Sequence, residues 1–292
     1  NVLHKNNSFD LYIYSNSKAE DNISLQLQRF CKSWTPIQNL PDKNLAQKIY
    51  ADKIHILFDL SGLTTGNRLS MFAYKPAPIQ ISWIGWLGTT GIPTMDYFLA
   101  DEFCVPRNEK YEQQFIEKVL RMPDIWEVLT PPKLSEIFSL QIKQNLCNTE
   151  KNFIFGSFNN PNKVGTKTLD LWCAVLKKSP ENTQFIWLRD IFSDNEFKEK
   201  ILGEFRKRGI SENQIVLKNY ENHDNYLKTF LEIDLILDSF PFSGMTTTAE
   251  GLSLGIPTLT LLGNLMSSRL SGSCINAIGD ANLNKNYIFD NE

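Results

Sequence analysis

The chain has 292 residues, enough for two domains of ordinary size. Apolar residues make up 42% and charged residues 22%, a globular balance, and a formal net charge of -3 gives no global positive field for nucleic acid or an anionic membrane. Five cysteines without a CxxC pair and three histidines support neither a zinc site nor a disulfide framework, no apolar run reaches the about 18 residues of a membrane span, and the expectation is a cytoplasmic protein.

Strand and helix signals alternate along the chain. Phe9–Tyr14 reads as a strand already under way near the first residue. A doubly wound domain normally begins with an earlier strand and helix, so an upstream half-unit is expected to be missing. Residues 23–30 have an amphipathic pattern, and 45–51 form a short helix feeding the strand 55–60. Gly62 and Gly66 bracket a loop, 69–73 is helical up to Pro76, and 79–84 is a strand. A glycine-rich loop follows at Gly85, Gly88 and Gly91, then a short strand, 97–100, ending at Asp101. The stretch from Thr130 to Lys151 is rich in Pro, Lys, Ser and Asn at its ends and sets the boundary between domains 1–145 and 146–292.

The second half repeats the alternation. The expected strands are 153–158, 184–188 and 214–217, and the expected helices 168–177, 196–208 and 226–231, with a polar loop at 159–163. A closing helix is expected beyond the strand-like 287–289. Such alternation argues for parallel sheets with right-handed crossovers, whose ligands sit beyond the carboxyl ends of the strands. The loops after the strands are therefore expected to line one cleft between the two domains.

The stretch from Asp234 to Leu262 carries the most chemistry. An apolar run, Leu235–Leu237, ends at Asp238 and passes through a turn with Pro241, Ser243 and Gly244. Thr246, Thr247 and Thr248 open a helical segment that Gly255 and Pro257 end before another strand. A helix N-terminus offers unpaired N–H groups and the positive end of the dipole, a ready site for phosphate. Gly244 lets the backbone approach, the threonine hydroxyls add donors, and Glu250 is suited to accept from a ribose. The plain alternative is that Thr246 caps an ordinary helix. His55, alone in an apolar strand, reads as a core residue.

Three segments resemble the catalytic region of the O-linked N-acetylglucosaminyltransferases, including their SPINDLY-type and bacterial relatives, glycosyltransferase family 41. They are HILFDLSGLTTGNRLSMFAYKPAPIQISWIGWLGTTGIPTMDYFLAD, FGSFNNPNKVGTKTLDLWCAVLKKSP and DSFPFSGMTTTAEGLSLGIPTLTLLGNLMSSRLSGSCINAIG. The resemblance covers nearly the whole chain from about His4. It implies an α/β protein of GT-B architecture, with two Rossmann-like domains of parallel sheets facing a cleft and the N-terminal one incomplete. It also implies a nucleotide-sugar donor, no metal and no other cofactor, a protein or peptide acceptor, and an upstream tetratricopeptide region. Lys163 matches the lysine that contacts the nucleotide phosphates, and is the residue expected to be catalytic. Asn160, His223, Gly244, Thr246, Thr247 and Glu250 would complete the nucleotide-sugar site. Arg68, Gly85 and Gly88 would face the acceptor and the sugar, although Arg68 could equally be a structural arginine paired with Asp59.

The departures are specific. Leu63 stands where bacterial relatives often carry a histidine, Met245 where the family is often polar or small, and Tyr226 where a second histidine often accompanies His223. No Asp-Phe-x-x-His stretch precedes residue 10. The expected reaction is inverting transfer of a sugar, N-acetylglucosamine first, from a UDP-sugar to a protein Ser or Thr. The alternatives are glucosylation of asparagine, transfer of fucose from a GDP-sugar, a nucleotide-sugar epimerase, or a catalytically incomplete nucleotide-binding fragment.

Overall fold

The computed structural model describes residues 9–19, 21–130, 152–220 and 222–290. The expected boundary stretch lies, past Thr130, outside the described residues. The chain divides into two compact units, the first running to Leu99 and including Phe115–Leu120, the second comprising Ala100–Gln114 and everything from Arg121. The division differs from a single cut at 145, because the chain leaves the first unit after Leu99 and returns to it only for Phe115–Leu120.

In the first unit, β1 (Tyr12–Ser15) and β2 (Ser33–Pro36) form a two-stranded parallel sheet linked through helix α1 (Asn22–Gln28). Asp21 caps α1, accepting from the Ser24 N–H at 2.7 Å. Helix α2 (Asp42–Ala51) buries Leu45, Ala46 and Ile49, one stripe of a 3.6-residue period. A second sheet runs β3 (Ile56–Asp59), β4 (Ile79–Ser82), β5 (Tyr97–Asp101), β6 (Lys118–Met122), and β3–β4 and β4–β5 pair in parallel. In β3 Leu57 and Asp59 are buried while Ile56 and Phe58 are exposed, the period-two alternation of a strand with one packed face. Leu57 joins Leu69, Met71 and Phe72, from helix α3 (Leu69–Phe72) and its start, in the core of this unit. His55, expected in the core, is exposed just before β3.

The second unit begins with the short helix α4 (Glu109–Glu112) and carries a six-stranded parallel sheet, ordered β12-β11-β10-β7-β8-β9. Its strands are β7 (Ile154–Ser157), β8 (Gln184–Leu188), β9 (Ile215–Lys218), β10 (Leu235–Leu237), β11 (Thr258–Leu262) and β12 (Ile288–Asp290). In β8, Phe185 and Trp187 enter one apolar cluster while Ile186 and Leu188 enter another, so both sheet faces are covered. That explains the unbroken apolar run in β8, the signature of a parallel strand buried on both sides. Helix α5 (Thr166–Lys178) covers one face with Leu169, Trp172, Cys173 and Leu176, at i, i+3, i+4 and i+7. Helix α6 (Asn195–Lys207) opens at Asp194, whose carboxylate accepts from the Glu196 and Phe197 N–H groups. Helices α7 (His223–Phe230), α8 (Thr246–Ser253), α9 (Leu270–Asn276) and α10 (Ala281–Tyr287) complete the unit.

The strand order fixes where a ligand can sit. From β7 the chain winds one way through β8 to β9, then crosses to the other side of β7 for β10, β11 and β12. The switch point lies between β7 and β10. At such a point the two following loops part, and a crevice opens beyond the carboxyl ends of the strands.

Candidate functional site

The loops leaving β7 and β10 meet around one buried carboxylate. Asp238, at the end of β10, is 8% exposed. Its Oδ1 accepts from the Gly244 N–H at 2.8 Å, the Ser239 N–H at 2.8 Å and Asn159 Nδ2 at 3.1 Å, and its Oδ2 accepts from the Thr260 hydroxyl at 2.7 Å. Burial pushes this carboxyl above the usual range, opposed by its donors. The result is a tight turn from Asp238 to Gly244 whose far end is bonded back to its own start. The Phe240 carbonyl accepts from the Thr168 hydroxyl at 2.5 Å, and the Asp238 carbonyl from the Trp172 indole at 2.9 Å. Helix α5 thus holds the outer side of the turn.

Gly244 is required by space. A Cβ there would lie 2.7 Å from Thr247 Oγ1, 2.9 Å from Thr248 Oγ1 and 3.2 Å from Asn159 Oδ1. Gly244→Ala is expected to displace these hydroxyls and cost about 1–3 kcal/mol, the usual penalty of overpacking, read as a lower midpoint in a urea melt.

Helix α8 starts directly after the turn. Its N-cap is Met245, which makes no side-chain cap bond, so the plain alternative that Thr246 caps the helix does not hold. The first bond of the helix is donated by Ala249 to the Met245 carbonyl at 2.9 Å. Thr246 is exposed, Thr247 is half-buried, and Thr248 is buried with its hydroxyl 2.8 Å from that of Ser271. Ser271 in turn donates to the Gly244 carbonyl at 2.9 Å. Thr248 thus belongs to the scaffold of the turn.

Lys163 comes from the other loop. Asn160 caps a single turn of 3-10 helix, Pro161–Lys163, accepting from the Asn162 N–H at 2.9 Å. Asn160 itself is exposed, and its role here is to shape the turn. Lys163 Nζ lies 4.3 Å from the centre of the Phe242 ring and donates to the Ser243 carbonyl at 3.3 Å. Burial pushes the Lys163 ammonium down, with nearby Arg189 pushing the same way and Asp238 holding it up. The loop from β7 is thereby joined to the turn from β10, with an ammonium against the Phe242–Ser243 stretch that precedes α8.

Glu250, one turn into α8, accepts from the Tyr226 hydroxyl at 2.7 Å. Tyr226 is 6% exposed and packs edge-on against Phe158, and burial and the Glu250 charge raise its pKa. His223 is exposed at the start of α7 and stacks on Tyr226, with ring centres 5.6 Å apart. The second unit therefore brings together Asn160, Lys163, Gly244, Thr246, Thr247, Glu250 and His223. Asp238, Asn159 and Arg189 were not identified from the sequence. An acidic residue at the carboxyl end of an apolar strand was the available signal for Asp238.

The first-unit residues form their own arrangement. Arg68 donates from Nε to Asp42 at 2.7 Å, from one Nη to the Ile37 carbonyl at 3.0 Å and from the other to the Leu40 carbonyl at 2.6 Å. Its carboxylate partner is Asp42, not Asp59. Asp59 turns instead to its own loop, accepting from the Ser61 and Gly62 N–H groups and from Ser82. Gly85 packs against the backbone of Leu60 and Ser61, where a Cβ would come within 2.4 Å of the Leu60 carbonyl oxygen. Gly88 has more room, with the Trp86 indole nitrogen 3.7 Å from an added Cβ. Glu117 anchors the end of this loop by accepting from the Thr89 hydroxyl at 2.8 Å and the Thr90 N–H at 2.7 Å.

Among the described residues no group of three or more His, Cys, Asp or Glu could hold a metal ion, and no helix is long and apolar enough to cross a membrane.

The model for glycosyl transferase family 41 matches residues 1–130 and 127–288. The probable UDP-N-acetylglucosamine–peptide N-acetylglucosaminyltransferase SPINDLY of Arabidopsis thaliana is 32% identical over 249 residues, 84% of this chain and 26% of the relative. The probable enzyme SEC of the same plant is 29% identical over 292 residues, 95% of this chain and 28% of the relative. A variant of the Thermobaculum terrenum O-GlcNAc transferase superposes with a TM-score of 0.86 at 26% identity, covering 98% of this chain and 52% of that one. A glycosyltransferase from Rickettsia africae shares the fold alone, with a TM-score of 0.53 at 11% identity over 97% of this chain and 85% of that one. The chain spans about a quarter of the length of the curated relatives it matches. Parallel α/β sheets in both units, the GT-B class of fold and a family match over nearly every residue agree, and the chain belongs to glycosyltransferase family 41.

Proposed function

We propose that this region binds a UDP-sugar and takes part in inverting transfer of N-acetylglucosamine to a protein Ser or Thr side chain without a metal. The observation that carries the reading is the turn organised by Asp238, which joins Lys163 to the uncapped start of α8. As the bond between sugar and diphosphate breaks, negative charge grows on the leaving phosphate. Lys163, the Thr246 and Thr247 hydroxyls and the helix N–H groups are donors fixed in advance for that charge, so they stabilise it without reorganising. Glu250 accepts from a ribose hydroxyl, and the acceptor hydroxyl attacks the anomeric carbon from the side opposite the departing UDP. The names of the plant relatives and of the bacterial structure support N-acetylglucosamine as the sugar and a peptide as acceptor. A tetratricopeptide region presenting that peptide, in a cytoplasmic setting, completes the proposed enzyme.

Tyr226 supports the same site by fixing the Glu250 carboxylate. Tyr226→Phe is expected to weaken UDP several-fold and leave 2′,3′-dideoxy-UDP unchanged, because only a ligand with ribose hydroxyls uses the carboxylate that Tyr226 holds. Competitive titration of the two ligands reads this difference.

The reaction is tested by incubating the protein with radiolabelled UDP-N-acetylglucosamine, GDP-fucose or UDP-glucose and a Ser/Thr-rich peptide in EDTA. Label on Ser or Thr from UDP-N-acetylglucosamine is the expected result. Transfer from GDP-fucose, or to asparagine from UDP-glucose, overturns the assignment of sugar and acceptor.

A further inference from the structure

Arg189 follows β8 at the carboxyl end of the sheet, and its backbone N–H donates to the Lys218 carbonyl at 3.0 Å. Its side chain is only 22% exposed. A guanidinium has five N–H donors. Here Nη1 reaches the Phe158 carbonyl at a long 3.3 Å, and Nε is buried with no hydrogen-bond partner among the described residues. The carboxylate of Asp190 stands 3.8 Å from Nε and is itself 69% exposed, too distant and too wet to neutralise the charge. Nothing in the fold of this unit calls for such a group, since a largely buried charge costs free energy unless it is paired and hydrogen-bonded.

Its surroundings indicate the kind of partner that would pair it. Phe158 and Lys163 both follow β7, the strand next to β8, so both cations rise from the carboxyl ends of neighbouring strands beside the switch point. The positive charge of Arg189 pushes the Lys163 ammonium down and opposes the rise of the Tyr226 phenol, so its field reaches both ends of the site. Two cations that repel each other are stabilised together by an anion that both can reach.

We propose that Arg189 is a second cation of the diphosphate site, donating to phosphate oxygens alongside Lys163. The proposal rests on the nucleotide-diphosphate reading and adds a residue to it. A guanidinium suits this task because its planar fork can grip two phosphate oxygens at once.

The test is calorimetric titration of wild type, Arg189→Gln and Arg189→Lys with UDP, UMP and uridine. Arg189→Gln is expected to weaken UDP at least tenfold and UMP less, while uridine stays within twofold. Arg189→Lys keeps the charge and the stem but not the fork, and is expected to lose several-fold for UDP only. Should Arg189→Gln fail to fold, the lysine variant decides. Unchanged UDP binding in the variants, or parallel loss of UDP and uridine, overturns the role of Arg189 while the diphosphate reading stands. Absence of any preference for UDP over uridine in the wild type overturns both.

Discussion

Lys163→Ala is expected to weaken UDP by about 10- to 100-fold, because a charge-assisted hydrogen bond to an ionised partner contributes about 1.5–3 kcal/mol. Uridine affinity is expected to stay the same, since the lysine is assigned to phosphate. Transfer is expected to fall further than binding, by about 10²–10³, if charge on the leaving diphosphate grows toward the transition state. The ammonium also gives the interaction a pH signature. Its pKa is depressed in the free protein, chiefly by burial. As pH rises through that depressed value the lysine loses its proton, so UDP affinity falls at a lower pH than an exposed lysine would dictate. A bound diphosphate favours the charged form, so binding in that range takes up a proton. Calorimetry in two buffers of different ionisation enthalpy measures the uptake, and Lys163→Ala is expected to abolish it.

Asp238→Ala is expected to have the largest effect on stability. The substitution leaves the Gly244 and Ser239 N–H groups, the Thr260 hydroxyl and the Asn159 amide without their common acceptor in a buried place. Removing one partner from a buried hydrogen-bonded charge costs about 3–5 kcal/mol. Asp238→Asn is the informative companion, because its amide oxygen can still accept from the two backbone N–H groups and Thr260 can turn its hydroxyl to accept. The expected cost is about 1–2 kcal/mol, one or two compromised hydrogen bonds, read from denaturant midpoints. The asparagine variant also removes the negative charge that holds Lys163 protonated. Its UDP affinity is therefore expected to fall off at a still lower pH than in the wild type, which a purely structural role for Asp238 would not produce.

Much of the second unit could be read from the sequence because its strands carry the pattern of their environment. β8 and β10 span the ranges expected, 184–188 and 235–237, since strands covered on both faces are short apolar runs with clear ends. β2 and β6 were missed for the opposite reason. Ser33–Pro36 is polar and ends in proline, and Lys118–Met122 interleaves Lys and Arg with Val, Leu and Met. Helix α9 was missed because it is made of Leu270, Ser271, Gly272, Ser273, Cys274 and Ile275, all buried. A helix buried all round shows no amphipathic period, and Ser and Gly are weak helix formers, so tertiary packing decides its conformation.

Gly244, Thr246, Thr247 and Glu250 stand out in the sequence from the strand, glycine turn and helix start that hold them, and Lys163 from the resemblance alone. Asp238 does not, because its donors lie 79 residues away at Asn159, 6 at Gly244 and 22 at Thr260, and no local pattern announces such a hub. Arg189 was equally silent, a lone arginine at a strand end whose unmet hydrogen bonds appear only once the strands are assembled. Arg68 illustrates the reverse case. The resemblance puts it on the acceptor side, and only the structure shows that three of its donor contacts go to Asp42 and to the Ile37 and Leu40 carbonyls.

The most direct measurement is calorimetric titration of the unmodified chain with UDP, UMP, uridine and GDP in EDTA. The account predicts that UDP binds more tightly than UMP and uridine, that GDP is weaker, and that chelation leaves the order unchanged. Equal affinity for UDP and uridine would contradict a diphosphate site at Lys163 and α8, and a preference for GDP would contradict the uridine nucleotide.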